Sequence, residues 1–135
     1  IPTIYQENLM EKISQFVARV FLGQIFLLSG FFKVTGYEAT QGYMEAMGVP
    51  GILLPLVIAV EVGGGVAVIV GWHTRAMAAG LALFSVTAAV IFHSNFADQM
   101  QMIMFMKNIA MTGGLILLAL HGAGRLSIDE FRGQS

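Results

Sequence analysis

The chain has 135 residues, enough for one domain, and its composition departs far from that of a soluble protein. The hydrophobic share is 56% before glycine is counted, and charged residues make up 11%, where about 25% is usual. A compact domain of this size has too little interior to hide so much apolar side chain from water. The composition therefore excludes a soluble monomer and indicates lipid as the solvent.

Charge and cysteine content exclude further classes of protein. The net charge is −1, whereas nucleic-acid binding needs a clustered basic excess, so we expect no nucleic-acid partner. With no cysteine, the chain offers no disulfide, thiolate metal site or thiol redox chemistry. No small-residue cleavage site follows the first apolar run, which we therefore interpret as a membrane span and not as a removed signal.

Four apolar segments have the length of about 20 residues that a helix needs to cross the hydrocarbon core. They cover approximately Ile13–Phe32, Gly51–Gly71, Ala76–Phe96 and Met104–His121. Because backbone groups in lipid must be bonded internally, all four are predicted to be α-helical. The predicted fold of residues 1–135 is a single domain, an all-α membrane protein built as a bundle of four transmembrane helices.

The connections between the spans differ in character. Segment Lys33–Pro50, between the first two spans, mixes Tyr and Met with Glu and Gln, and predicts a short interfacial helix or a re-entrant loop. The next link is only Trp72–Arg75, which predicts a tight antiparallel hairpin of the second and third helices.

Basic residues near the span ends predict the orientation in the membrane. With four spans, both termini lie on one side, and that side carries most of the basic residues: Lys12, Arg19, Arg75, Arg125 and Arg132. Lys33 and Lys107 lie opposite. This bias predicts a multi-pass membrane protein with cytoplasmic N- and C-termini, whose other two loops would face the periplasm in a bacterium.

Two charged residues, Arg19 and Glu61, are predicted to lie deep within the spans. A charge at the bilayer centre costs about 2.5–3.5 kcal/mol even on the lenient insertion scale, so such residues face protein or water and usually each other. From the rise per residue, their depths differ by about 6 Å, which an arginine side chain can cross. We predict a buried Arg19–Glu61 pair that holds the bundle or relays protons. A purely structural pair that fixes helix register is the alternative.

Small residues define two further helix faces. One stripe of the first helix is predicted to face the bundle and consists of Arg19, Gly23, Phe26, Gly30 and Lys33. On the second helix, a ridge of small residues nearly opposite Glu61 is predicted to contact another helix or another subunit, and consists of Ala59, Gly63, Ala67 and Gly71.

The end of the bundle opposite the termini collects the remaining polar groups of the spans: Lys33, His93, Lys107 and Asn108. This cluster could hold the carbonyl of a quinone, an oxyanion or a lipid phosphate. The alternative is that the lysines extend to the membrane interface and bind nothing specific. We predict a quinone- or lipid-headgroup-binding cluster.

Methionines alternate over Met100–Met106, and thioethers are ligands suited to Cu(I). On a helix, however, this alternation spreads the sulfurs over several faces. An irregular, adaptable apolar surface is therefore the preferred interpretation, and we predict no metal site.

Taken together, the motifs resemble the DoxX family of small bacterial and archaeal membrane proteins. The matching elements run from Arg19-Val-Phe-Leu-Gly23 and Ser29-Gly30-Phe-Phe-Lys33 through Met47-Gly48-Val-Pro50, Glu61-Val-Gly-Gly64 and Gly71-Trp-His-Thr-Arg75. The strongest block covers Lys107–Leu115 and Gly122–Asp129. The namesake of the family is the small subunit of an archaeal thiosulfate:quinone oxidoreductase, and a mycobacterial relative is linked to a membrane redox-stress assembly.

The resemblance implies a protein of the bacterial inner membrane that is an accessory or quinone-facing subunit of a membrane redox complex, not catalytic alone. No haem, flavin or iron–sulfur signature is present, so an electron-carrying cofactor would belong to a partner, and a quinone is the one cofactor expected here. Alternatives are a non-enzymatic, lipid-binding subunit of a respiratory or photosynthetic assembly, and a small proton-coupled transporter. Expected partners are the lipid bilayer and a larger membrane complex or further copies of the chain.

Overall fold

The computed structural model describes residues 3–133, which form six α-helices and one 3-10 turn. The long helices are α1 (Ile4–Thr35), α3 (Leu54–Val70), α4 (Thr74–Phe92) and α5 (Gln99–His121). Short elements are α2 (Tyr37–Ala46), the 3-10 turn Gly51–Leu53 and α6 (Ile128–Phe131). Four helical segments are long and apolar enough to cross a membrane, so the predicted four-helix fold is confirmed.

Helix α1 begins nine residues before the predicted start, because a capping box forms at its N-terminus. The Thr3 hydroxyl accepts from the Gln6 backbone N–H at 3.2 Å, and the Gln6 side chain accepts from the Thr3 N–H at 2.9 Å. This reciprocal pair satisfies two N–H groups that a helix start leaves unbonded. At ~1.5 Å per residue, the helix is about 48 Å long, well beyond a hydrocarbon core of about 30 Å.

The segment between α1 and α3 contains a helix, as one of the two sequence interpretations had it. Helix α2 follows the break at Gly36 and buries Met44. Gly48 then turns the chain with φ of +83°, a conformation that glycine adopts without strain, and Pro50 precedes the 3-10 turn. The chain thereby returns from the end of α1 to the start of α3.

The four spans associate as two antiparallel helix pairs. Helix α1 packs closely along α3, and α4 packs along α5, whereas contacts between the pairs are fewer. Close approach of α1 and α3 depends on glycine: a Cβ on Gly65 would lie 2.8 Å from the Leu27 backbone nitrogen. Side chains from all four spans form the central core, namely Phe26, Val68, Leu81 and Leu115.

The chain after α5 folds back over one end of the bundle, which we call the basal end. There the Arg19 guanidinium donates to the carbonyl oxygens of Ile69 (2.9 Å), Arg125 (3.1 Å) and Leu126 (2.6 Å). Asp129 contacts the start of α4 at the same end. Lys33 and His93 lie at the other end of the bundle, which we call the pocket end.

The predicted small-residue ridge of the second helix does not form one contact surface. Ala67 is 3% exposed, and Gly71 is also buried, at the basal end near Arg19 and Ser127. Ala59 and Gly63 are exposed, and nothing lies within 4 Å of a Cβ built on Gly63.

Candidate ligand pocket

A cavity of about 650 Å³ opens at the pocket end, between the two helix pairs. That volume is within the range of about 300–1,000 Å³ typical of small-molecule sites. Its walls are mainly apolar, with aromatic rings from α1 and α4 such as Phe26, Phe84 and Phe92. Both pairs contribute polar side chains to the same space, so a molecule bound there would contact both.

An ion pair occupies the wall formed by α1 and α3. Lys33 Nζ lies 2.7 Å from Glu61 Oε1, and the Glu61 side chain is 3% exposed. A buried carboxylate needs such a partner, because an uncompensated charge in an apolar interior is costly. The two side chains line the cavity, and they are the charged groups that it presents.

Neutral polar groups occupy the opposite wall, formed by α4 and α5. The Asn108 side-chain amide donates to the Ser85 carbonyl at 3.3 Å, which connects the two helices. Ser85 is 1% exposed, and its hydroxyl has no hydrogen-bond partner among residues 3–133. His93 Nδ1 is likewise buried without a partner in the described part of the chain. Ser85, Asn108 and His93 all line the cavity.

Helix α2 covers one side of the cavity. The Tyr43 ring stacks on the Phe92 ring at the end of α4, with 5.6 Å between centroids. The Tyr43 hydroxyl also lies 3.4 Å from the Phe92 carbonyl oxygen, to which it donates. Because α2 follows α1 directly, this contact ties the α1–α3 pair to the α4–α5 pair at the pocket end.

The structure corrects the predicted Arg19–Glu61 pair. Glu61 pairs with Lys33, and Arg19 donates to three backbone carbonyls at the basal end. The error lay in the axial register: Gly30 approaches Glu61 and Val62, so Arg19 is eleven residues, or about 16 Å, away along α1. An arginine side chain cannot cover that distance.

The predicted polar cluster is brought together in part. Lys33, His93 and Asn108 line one cavity, whereas Lys107 is exposed and does not line it. Glu61 joins the cluster in place of Lys107. Whether these residues bind a quinone or a lipid headgroup stays a prediction.

Ser85, Tyr43 and Phe92 are candidate site residues that sequence reasoning did not identify. A single serine in an apolar span commonly donates to the carbonyl four residues earlier, as Thr87 does to Leu83. The sequence therefore carries no signal that Ser85 is different. The Tyr43–Phe92 contact depends on how α2 is placed, which no local pattern specifies.

At the basal end, Asp129 forms a second polar arrangement, remote from the cavity. Its carboxylate accepts from the backbone N–H groups of His73 and Thr74, each at 2.8 Å. Burial opposes ionisation of this carboxyl, but the N–H donors at the start of α4 outweigh burial and lower the pKa of Asp129. His73 precedes the helix with φ of +44°, a left-handed conformation that this contact holds in place.

Metal ligands are not grouped in the described part of the chain. Residues 3–133 contain no group of three or more His, Asp or Glu side chains placed to hold an ion. Met100, Met102, Met104 and Met106 are all exposed.

Comparison with known proteins decides the family. A family profile described as DoxX matches residues 14–94, more than half of the chain. The chain belongs to the DoxX family. The match runs from residue 14, within α1, to just past the end of α4, so the Lys107–Leu115 and Gly122–Asp129 blocks of the sequence analysis lie beyond it.

Three relatives match most of the chain. "Inner membrane protein YqjF" of Escherichia coli (strain K12) is 49% identical over 90% of this chain and 93% of its own length. "Inner membrane protein YphA" of the same organism is 34% identical over 84% of this chain and 86% of its own. "Putative oxidoreductase CatD" of Bacillus subtilis (strain 168) is 32% identical over 89% and 87%, respectively. No solved structure gives a significant match.

These findings place the chain among the inner-membrane proteins of the DoxX family. The expectation of a membrane location agrees with the names of the two E. coli relatives and with the four apolar helices. The orientation of the termini stays a prediction.

Proposed function

We propose that this DoxX protein is a quinone-facing accessory subunit of a membrane redox complex, and that the cavity at the pocket end receives the quinone head. The observation that carries the proposal is one apolar, aromatic-walled cavity lined by Lys33, Glu61, Asn108 and His93. A quinone fits this lining, because its apolar ring can pack against the aromatic walls and its carbonyl oxygens can accept hydrogen bonds from the Lys33 ammonium or the Asn108 amide. The name of the CatD relative, an oxidoreductase, adds support.

The position of the cavity also favours a lipid-soluble ligand. Its lining includes exposed apolar side chains of α1 and of the chain around the start of α3, namely Phe32, Leu53 and Leu56. These residues belong to segments that can cross the membrane, so their exposed surfaces would face lipid. A quinone tail can leave the cavity past them and remain in the hydrocarbon.

Purification in mild detergent, followed by solvent extraction and mass spectrometry, tests the proposal directly. We expect co-purified quinone with the wild-type chain and less than about a fifth as much with Lys33→Met, which removes a charged donor from the cavity. Lys107→Met is the matched control, because that lysine is exposed outside the cavity, and it should retain the wild-type amount. Size-exclusion chromatography shows whether each variant is folded, and Asn108→Ala provides a second variant without a charge change.

Two results would reject the quinone site. One is the absence both of co-purified quinone and of any thermal shift on addition of a short-tailed quinone. The other is recovery of phospholipid alone in amounts that depend on Lys33, which would favour a lipid-binding packing subunit. A pull-down of the full chain in the same detergent tests the complex, since a quinone-linked redox enzyme should co-purify.

A further inference from the structure

Three polar groups of different chemistry line the cavity, namely Glu61, Ser85 and Asn108. The helix register places them at one level, which we call the pocket floor. Helices α3 and α4 are antiparallel neighbours where the two helix pairs meet, and Gly64 faces Leu81 there. Three residues from this contact toward the pocket end, Glu61 on α3 and Phe84 on α4 therefore lie at the same height along the bundle, and Ser85 follows Phe84. The Asn108 amide meets the Ser85 carbonyl at the same level. The floor thus brings together side chains from both helix pairs.

The Ser85 hydroxyl is a buried polar group without a hydrogen-bond partner among residues 3–133, on a residue that lines the cavity. It lies on a residue that is 1% exposed and has no partner in the described chain, although Thr87 on the same helix and Thr112 on α5 both donate to carbonyls at 2.8 Å. A buried hydroxyl without a partner is destabilising unless something in the cavity bonds to it. A hydroxyl both donates and accepts, so Ser85 can bond to a carbonyl oxygen or to a hydroxyl group.

Glu61 differs from Ser85 in which hydrogen bonds it can form. A carboxylate paired with a lysine accepts hydrogen bonds and donates none. It can bind a phenolic hydroxyl, but it repels a carbonyl oxygen. The two sides of the floor therefore respond differently to the oxidised and reduced forms of one ligand.

We infer that the pocket floor binds both forms of a quinone head: Ser85 bonds to the oxygen of either form, and Glu61 accepts from the hydroxyl of the hydroquinone only. This inference rests on the proposed function and assigns the residues that distinguish the two forms. It makes Ser85 a ligand-binding residue and Glu61 the residue that favours the reduced form.

Calorimetric titration of the full chain in detergent tests the inference, with a short-tailed benzoquinone and, anaerobically, its hydroquinone as probes. Ser85→Ala should weaken both probes about fivefold to tenfold, the effect of one hydrogen bond. Its thermal midpoint without ligand should stay the same or rise, because the unpartnered hydroxyl is gone. Ser94→Ala, in the exposed loop after α4, is the matched control and should bind both probes like wild type.

Glu61→Gln should weaken the hydroquinone about fivefold or more, because a neutral amide oxygen is a weaker acceptor than a carboxylate. The benzoquinone should stay within about twofold of wild type, because its carbonyl oxygen does not use Glu61 as an acceptor. If this variant does not fold, the double variant Lys33→Gln with Glu61→Gln replaces it, since it leaves no unpaired charge; losing Lys33 weakens both probes, and the hydroquinone should then lose about fivefold more affinity than the benzoquinone. Equal losses for both probes in the Glu61 variant, or no loss for either probe in Ser85→Ala, would overturn the inference. If the wild-type chain binds neither probe, the proposed function itself fails.

Discussion

At the scale of single residues, three charged groups in and beside the spans, Arg19, Glu61 and Asp129, each have specific partners. Arg19 donates to backbone carbonyls, Glu61 pairs with Lys33, and Asp129 accepts from the N–H groups at the start of α4. The sequence predicted that Arg19 and Glu61 are buried, because charges avoid lipid, and both are. It could not predict the partners of Arg19, since a backbone carbonyl acceptor leaves no trace in side-chain identity.

The Asp129 contact makes the stability of the folded protein depend on pH. Because the folded-state pKa of Asp129 is lowered, its contribution is complete above the unfolded value of about 4 and is lost as the pH falls through the folded value. We expect Asp129→Asn to lower the thermal midpoint at pH 7, at a cost of about 0.5–2 kcal/mol, the range for a lost helix cap. The difference from wild type should shrink as the pH is taken below about 4.

Thermal scans of purified protein between acidic and neutral pH measure this difference. Glu130→Gln is the matched control, because its side chain is exposed one residue away. A wild-type advantage that stays constant into the acid range would contradict the assigned cause.

At the scale of the helices, hydropathy located the four spans but not their full extents or their pairing. The early start of α1 depends on a Thr3–Gln6 capping box, whose signature is local and could have been recognised. The pairing of α1 with α3 depends on glycines that admit a neighbouring backbone. A glycine stripe shows that some helix approaches closely, but it does not identify which one.

Neighbouring glycines of α3 should therefore differ sharply when replaced. Gly65→Ala would place a methyl group 2.8 Å from the Leu27 backbone nitrogen, and we expect a loss of about 1–3 kcal/mol from overpacking. Gly63→Ala meets nothing within 4 Å and should be neutral or stabilising by up to about 1 kcal/mol, because alanine favours the helix.

Thermal midpoints of the two variants in one detergent provide the measurement. Similar losses in both would mean that Gly63 is covered by another copy or partner in the purified protein, which a change in its oligomeric mass would reveal.

At the scale of the whole molecule, two helix pairs meet with fewer contacts than each pair makes internally, and the cavity lies where they meet. Much apolar surface remains outside, with Phe21 71% and Leu83 72% exposed. Lipid or protein partners would cover such surface in the membrane. Composition predicted the lipid solvent correctly, whereas the cavity arises from packing across the chain and has no local signature.

The predicted orientation can be tested at this scale, because the chain has no cysteine and single cysteines can be introduced. We expect Arg132→Cys to react with an impermeant maleimide only after the cytoplasmic face is exposed in inverted vesicles. Ser94→Cys, in the loop between α4 and α5, should react in intact spheroplasts. The reverse pattern would show that the termini lie outside.

The Lys33–Glu61 pair also bears on how the chain enters the membrane during synthesis. Translation makes Lys33 first, at the end of α1, where a long side chain can reach the membrane surface without a partner. Glu61 follows in the middle of a span, where no such escape exists. Because α1 pairs with α3, the cation is already in place when the acid arrives. The reverse order would leave an unpaired carboxylate in lipid until its partner was made. The order of the two residues along the chain, lysine before glutamate, therefore suits sequential insertion.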